Sequence, residues 1–426
     1  MSALAKFYLS EKAKVSGSDL ESSEITEELA ELGAKIYTGE HSASNVTKNA
    51  DLVIYNAAIK KDNTELAAAK SYKLKTKSYA EVIGELTKKY YTIAITGAHG
   101  KSTTTALIAK IMIDAGLDPT VVVGTKLNEF GGSNFKKGYS KYFIIEADEY
   151  AGSFLHYRPD IAVVTNIDRE HLDFYKNMAK IKAAFKKFLL NVKPGGFLVL
   201  NNDNKEVLKL GLGLAKLKRF KNKIKWYSLR NKKVDEIKNK LQIPGAHNVS
   251  NALAAYGTGE ILGIEPKIIL KSLAEYGGAW RRFEYKGSIN GAKIFDDYAH
   301  HPTEIRATLE AARTRFPKSR IWCIFQPHQR KRLSALFNEF LDAFDPANEL
   351  VLLDPYEVSG RENVFYDGKF TAFSLAQKID QRLKNNVYYL PYKSEVADFL
   401  KKYTAWGDVV IMMGAGDIWK ITKELI

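Results

Sequence analysis

The chain has 426 residues, enough for two or three domains each with its own core, and its 45% hydrophobic and 27% charged content is ordinary for a globular protein. A single cysteine, Cys323, excludes an internal disulfide, and no apolar run approaches the ~20 residues needed to span a bilayer, so no membrane insertion is expected. The net charge of +15 raises nucleic acid as a partner, but lysine is spread along the whole chain and the densest cluster, KLKRFKNKIK at 216–225, carries no reading motif. The excess charge is read as a solvated surface that attracts small anionic substrates, with no nucleic-acid partner. The start, MSALAKFYLSEKAK, lacks a signal-peptide pattern, which leads to the expectation of a cytoplasmic protein.

In chain order, apolar strands alternate with helical patterns in three blocks, which predicts an α/β protein of three domains built on parallel sheets covered by helices. The first block, 1–88, reads as Rossmann-like, with strands AKVSGSD and DLVIYNAAI and the helix EITEELAELGA between them. The second, 89–279, opens with TIAITG and continues through TVVVGT, YFIIEAD, IAVVTNI and GFLVLNN, a central ATPase-type sheet. The third, 280–426, holds AKIFDDY, RIWCIF, ELVLLDPY, NVYYLPY and DVVIMMG, again Rossmann-like. No internal repeat or low-complexity tract interrupts them.

The second block begins with the strongest chemical signal. In TIAITGAHGKSTTT, residues Gly97, His99, Gly100, Lys101, Ser102 and Thr103 join a buried strand to a long helix. Backbone N–H groups and the positive helix terminus suit a phosphate there, lysine adds a point charge, and the following hydroxyl can hold Mg2+. The spacing is unusual, because the common GxxxxGK[ST] loop needs glycine where this chain has Ile95. A nucleoside triphosphate is the expected ligand. The strand YFIIEADEY ends in Glu146, Asp148 and Glu149, and Glu146 at a strand's carboxyl end is placed to meet a metal on the phosphates. IAVVTNIDREHLDFY puts Asn166, Asp168, His171 and Asp173 after the next strand; from its chemistry alone His171 is a hydrogen-bonding loop residue, because hard Mg2+ prefers oxygen.

Further along, IPGAHNVSNALAAY offers His247, Asn248 and Asn251, whose amides match an adenine edge, with a helix cap at Asn248 as the alternative. WRRFEY supplies Arg281 and Arg282, and IFDDYAHHPTEI supplies Asp296, Asp297, Tyr298, His300 and His301. Zinc is not expected at the paired histidines, which lack a cysteine or HExxH partner. FQPHQRKR adds His328, Arg330 and Arg332 at another strand end, where arginine suits a carboxylate or phosphate. GAGD, Gly414 to Asp417, follows the last strand and by itself reads equally as a tight turn or a site.

Taken in order, GAHGKSTTT, EADEYAGSFL, TNIDREHLDFY, PGAHNVSNALAA, RRFE, DDYAHHPTEI, FQPHQRKR and MGAGDI resemble the Mur ligases over essentially the whole chain, most closely the branch that joins alanine to UDP-N-acetylmuramate. In that family the phosphate loop has the short GxxGK form. The resemblance implies a cytoplasmic ATP-dependent, ADP-forming ligase of peptidoglycan precursor synthesis that passes through an acyl phosphate, with ATP and Mg2+ required. It implies that Lys101 holds the phosphates, that Ser102 or Thr103 with Glu146 binds a first metal, and that His171 binds a second. It carries Gly97, His99, Gly100, His247, Asn248, Asn251, Arg282 and Asp297 over as ATP contacts. Tyr298, His300, His328 and Arg332 become the alanine pocket, with His300 also catalytic. The UDP-sugar falls to Ser18 and Asp19, just ahead of Leu20, with Asn134 and Ser153, and the domains are expected to close in the reaction.

Three departures qualify the resemblance. The family begins with a strand and a glycine-rich loop ahead of MSALA, which this chain lacks, so UDP-sugar binding is expected to be weakened or lost unless the start lies further upstream. Phe185 stands about where sister ligases carry a modified lysine that the alanine-adding branch lacks, and Gln329 stands where some relatives have arginine. The alternatives are a recycling ligase that attaches a tripeptide, and a nucleotide-binding protein without ligase activity.

Overall fold

The computed structural model describes residues 1–357, 368–383 and 386–426. These fall into two compact units, 1–240 with 249–276 and 241–248 with 277–426. The fold is α/β with parallel-dominated sheets.

In the first unit, β1 (Ser16–Asp19) pairs in parallel with β2 (Lys35–Thr38), and β3 (Val53–Tyr55) with β4 (Thr76–Ser78). The larger sheet takes β5 (Tyr91–Thr96), β6 (Thr120–Leu127), β7 (Ser133–Lys136), β8 (Tyr142–Glu146), β9 (Ile161–Val164), β10 (Phe197–Asn201) and β11 (Ile224–Tyr227) in the order β11-β10-β9-β5-β8-β6-β7. All its pairs are parallel except the edge pair β6–β7. The central strands are apolar at successive positions because both faces are covered, which is why they read as unbroken hydrophobic runs. Ala94, Phe143, Ile145, Ala162 and Val164 belong to a core with Phe154, Phe185 and Phe188, and Phe154 stacks on Phe188 at 4.8 Å. Phe185 is therefore a core residue, edge-on to Phe154 at 5.3 Å. The helix Lys101–Asp114, buried along most of its length, packs against the sheet, and the helix Pro266–Glu275 lies against it.

In the second unit, β12 (Glu284–Ile289), β13 (Ala292–Asp297), β14 (Ile321–Phe325), β15 (Glu349–Leu352), β16 (Asn386–Tyr389) and β17 (Val409–Met413) form a sheet in the order β12-β13-β17-β14-β15-β16. Only the edge hairpin β12–β13 is antiparallel. Ile294, Trp322, Ile324, Val351, Val410 and Met412 pack with Val396, Leu400 and Ile421 in one core. Strand order positions the chemistry in both sheets. The chain leaves β5 in one direction and returns to place β9 on its other side, and in the second sheet β17 is inserted between β13 and β14, so the residues just past these strands surround a switch of direction where open parallel sheets leave a crevice.

Candidate active site

The short loop after β5 is braced from β9. Gly97 has φ +137°, and a Cβ built there would lie 2.1 Å from Thr165 Oγ1, so no side chain fits. Thr165 Oγ1 donates to His99 O at 2.6 Å, while Asn166 both accepts from His99 N (2.9 Å) and donates to His99 O (2.9 Å). The His99 ring meets Asp168 at 3.2 Å. Gly100 is left-handed at φ +82°, and a Cβ on it would be 2.4 Å from Asn251 Oδ1. The helix Lys101–Asp114 follows directly, so its first N–H groups open onto this loop.

Three carboxylates surround Lys101. Its ammonium donates to Gly97 O (2.6 Å), Ala98 O (3.3 Å) and the buried Glu149 (3.1 and 3.2 Å). Burial works against the charged ammonium, but Glu149, Asp148 and Glu146 together outweigh it and hold its pKa above the ordinary lysine value. Burial pushes the Glu149 carboxyl upward, opposed by Lys101. Glu146 accepts from Ser102 Oγ (3.0 Å) and from Gly124 N (2.7 Å), and a Cβ at 124 would crowd its carboxylate at 2.9 Å. Thr103, beside Ser102, is buried.

His171 comes to the same place. It sits in left-handed backbone, φ +55°, a conformation a non-glycine residue adopts only when its surroundings impose it. Its Nε2 lies 3.6 Å from Glu149 and 3.8 Å from Asp148, and its ring is 5.0 Å from that of Tyr150. Tyr175 Oη donates to Glu149 O at 2.5 Å, fixing the strand exit that carries all three acids. Ligand atoms of Asp148, Glu149 and His171 lie within 4.8 Å of one another. Two carboxylates there, and the Ser102 hydroxyl beside Glu146, make an oxygen-rich donor set that fits Mg2+, with His171 the softer member. The side chain of Asp173 lies outside the described residues.

The other candidates in the first unit are less convergent. Ser18 Oγ donates to Glu65 (2.6 Å), a carboxylate that also takes Asn45 Nδ2 (2.8 Å) and faces His41 at 3.3 Å. Asp19 accepts from Glu21 N and is exposed like Leu20. Asn134 Nδ2 donates to Ser2 Oγ (3.0 Å), and Ser153 Oγ turns back to Tyr150 O (2.9 Å).

In the second unit the polar groups gather past β13, β14 and β17. Arg281, in left-handed backbone and fully buried, donates Nε to both Asp296 oxygens (3.1 Å each), Nη1 to Gly416 O (3.0 Å) and Nη2 to Gly414 O (2.5 Å). It thereby ties the GAGD turn to the end of β13. Asp297 accepts from Phe283 N and Ala299 N, both at 2.8 Å; burial raises its pKa, and Arg282 counteracts. Arg282 lies over the Tyr298 ring at 5.2 Å. The helix Ala246–Ile261 carries His247 and Asn248 in this unit, and Asn251 in the first. Asn248 Nδ2 donates to Pro244 O (2.7 Å), and burial, then Arg282, lowers the His247 pKa to about 4.

The two adjacent histidines part company. His301 turns into the cap of the helix Pro302–Arg315, accepting from Thr303 N at 3.3 Å. His300 turns outward, its Nδ1 facing Tyr298 O (3.0 Å) and Glu304 Oε2 (3.3 Å), both acceptors. With acceptors on both sides, Nδ1 is the nitrogen that donates. His328 is the reverse: its Nδ1 meets Arg332 Nη1 at 3.1 Å, and arginine can only donate, so the neutral His328 presents Nε2–H. Their rings are 5.8 Å apart. Donor and acceptor imidazoles side by side, next to a guanidinium, match the carboxylate and amine of an amino acid.

A phosphate loop with acids and a histidine at two strand ends, and an amino-acid-shaped set at the ends of another sheet, describe an ATP-dependent acid:amino-acid ligase, and the chain belongs to the Mur ligase family. Models of that family match it at residues 1–91 (Mur ligase family, catalytic domain), 95–259 (Mur ligase middle domain) and 281–416 (Mur ligase, glutamate ligase domain). Among curated relatives, a UDP-N-acetylmuramate--L-alanine ligase of Acetivibrio thermocellus is 41% identical, covering all of this chain and 93% of the relative. One from Alkaliphilus metalliredigens is 38% identical over 100% and 94%. The crystal structure of UDP-N-acetylmuramate-alanine ligase from Thermotoga maritima superposes with TM-score 0.81 at 25% identity, covering 100% of this chain and 95% of that one. A murein peptide ligase from Psychrobacter arcticus shares the fold, with TM-score 0.70 at 22% identity and the same coverage.

Of the residues the sequence singles out, Lys101 and His171 both face Glu149, and Glu146 accepts from Ser102, the neighbour of Lys101. It gave no role to Glu149, the partner of Lys101, or to Asn166, the clamp on His99. Glu149 stood in the quoted acidic run, but nothing in sequence distinguishes the acid that faces the loop from its neighbours.

Proposed function

We propose that this chain forms the amide between the carboxylate of UDP-N-acetylmuramate and the amino group of L-alanine while ATP is converted to ADP and phosphate, in peptidoglycan precursor synthesis. The full-length identity of about two fifths to relatives of that name carries the reading, and the Lys101 and His300 surroundings supply its chemistry.

A sugar carboxylate oxygen attacks the γ-phosphorus, the bond to the β-phosphate breaks, and ADP departs, leaving an acyl phosphate. Lys101, already charged and pinned over Gly97 and Ala98, stands where negative charge spreads on the transferred phosphoryl group. Gly97, His99 and Gly100 shape the backbone cradle, and Asn251 lines its rim. Ser102 or Thr103 with Glu146, and His171 with its acidic neighbours, would hold Mg2+, which would neutralise charge as the two anions approach. In the second unit, Arg332 and the His328 Nε2–H bind the alanine carboxylate beside Tyr298. His300 takes a proton from the amine as the amine nitrogen attacks the acyl carbon and phosphate leaves. His247, Asn248, Arg282 and Asp297 are assigned to ATP, and Ser18, Asp19, Asn134 and Ser153 to the UDP-sugar. Domains 1–88, 89–279 and 280–426 would then take UDP-sugar, ATP and amino acid respectively, in the cytoplasm where these substrates are made.

The test incubates purified protein with UDP-N-acetylmuramate, ATP, Mg2+ and labelled L-alanine, or with a tripeptide in its place. Label transfer and phosphate release with alanine are expected. Product with tripeptide alone would replace this reading by the recycling ligase, and no product with either would leave a nucleotide-binding protein.

A further inference from the structure

Four rings form an arc along the strand ends of the second unit: Tyr298 to His300 at 5.5 Å, His300 to His328 at 5.8 Å, and His328 stacked on Tyr356 at 5.8 Å with only 14° between the planes. The first three carry the polar chemistry described above. Tyr356 is unassigned. It lies past β15, so it reaches the arc from a different strand, and its position is unusually constrained. Its N–H donates to Pro327 O (2.8 Å) and its carbonyl accepts from Gln329 N (3.0 Å), which zips its backbone to the segment carrying His328. Behind the ring stands Gly416 of the GAGD turn. A Cβ built on Gly416 would lie 2.6 Å from Tyr356 Cγ and 2.7 Å from its Cβ, so the turn touches the ring through bare backbone. Gly416 is itself immobilised through its carbonyl by the buried Arg281. The base of the Tyr356 ring is therefore packed against fixed backbone.

We propose that Tyr356, braced by Gly416, is the wall that limits the side chain of the acceptor amino acid to about the size of a methyl group. The inference rests on the amino-acid reading of this site and adds to it the residue that sets selectivity. The proposal seats the carboxylate at Arg332, the amine at His300 and the remaining Cα substituent on the Tyr356 side of the arc, beyond His328. A rigid aromatic wall rejects added methylenes by steric exclusion, which is worth roughly 10-fold to 200-fold per methylene in an apolar pocket.

The experiment compares kcat/KM for L-alanine, L-valine and L-leucine in wild type, Tyr356→Ala, Tyr356→Leu and Tyr356→Phe, with thermal melting to follow folding. The alanine-to-valine ratio is expected to fall by roughly 10-fold or more in Tyr356→Ala, less in Tyr356→Leu, and to hold in Tyr356→Phe. A variant that merely disturbed the His328 stack would lose rate with every amino acid and leave the ratio alone. An unchanged ratio in both folded variants overturns the proposal while wild-type alanine activity stands. Wild type inactive with every amino acid overturns the substrate reading and this inference together.

Discussion

Lys101 shows how a charged group is kept charged in a buried place. Two loop carbonyls and the Glu149 carboxylate take its three ammonium hydrogens, and the neighbouring acids more than offset the burial that would neutralise it. Lys101→Ala should reduce phosphate release at saturating substrates by roughly 10³ or more, since it removes a fixed positive charge from where transition-state charge develops; single-turnover kinetics check this, and retained turnover would remove the loop from the mechanism. His247 makes a second prediction. Its folded pKa of about 4 lies below the ordinary 6.5, so between those values the unfolded chain binds more protons, and stability is lost as pH falls through that window. His247→Gln should flatten the dependence of urea unfolding on pH between 6.5 and 4, whereas an unchanged slope would show that His247 does not remain neutral in the fold.

Among elements, the strand exits carry the site, and each is held by a neighbour remote in sequence. The exit of β5 is clamped by Thr165 and Asn166 past β9, the exit of β8 by Tyr175, and the exit of β17 by Arg281. Arg281 was legible only as one of two arginines suited to a phosphate or carboxylate. Both guanidiniums lie over the Tyr298 ring, but Arg281 is also committed to Asp296 and two carbonyls. Arg281→Met should cost about 3–5 kcal/mol, because it leaves a buried carboxylate and two carbonyls without their donor; urea unfolding of the full chain measures it, and a loss under 1 kcal/mol would mean the network is dispensable.

At the scale of the whole molecule, none of the helices among the described residues is long and apolar enough to cross a membrane. The charge of +15 is large, but most of it is lysine distributed over the surface. Any association with DNA should therefore be sequence-independent and vanish steeply with salt, falling by roughly 10³ or more between 50 and 200 mM if it engages six or more phosphates. Retention on a DNA column at 200 mM salt would contradict this. Unbroken apolar strands made the parallel sheets predictable, because burial on both faces removes the need for polar alternation.

What the sequence by itself determined was local: which segments are strands and helices, where a glycine–lysine loop joins them, and the order of motifs that defines the family. These follow from periodicity, glycine placement and residue chemistry within a few positions of the chain. Only the tertiary structure decided which of three clustered acids meets Lys101, that His301 caps a helix while His300 does not, that His300 faces two acceptors and His328 a guanidinium, and that Tyr356 is pressed against Gly416. The Lys101–Glu149 pair and the Tyr356–Gly416 contact join strand exits far apart in sequence, and a parallel sheet creates such contacts only when its strand order is complete.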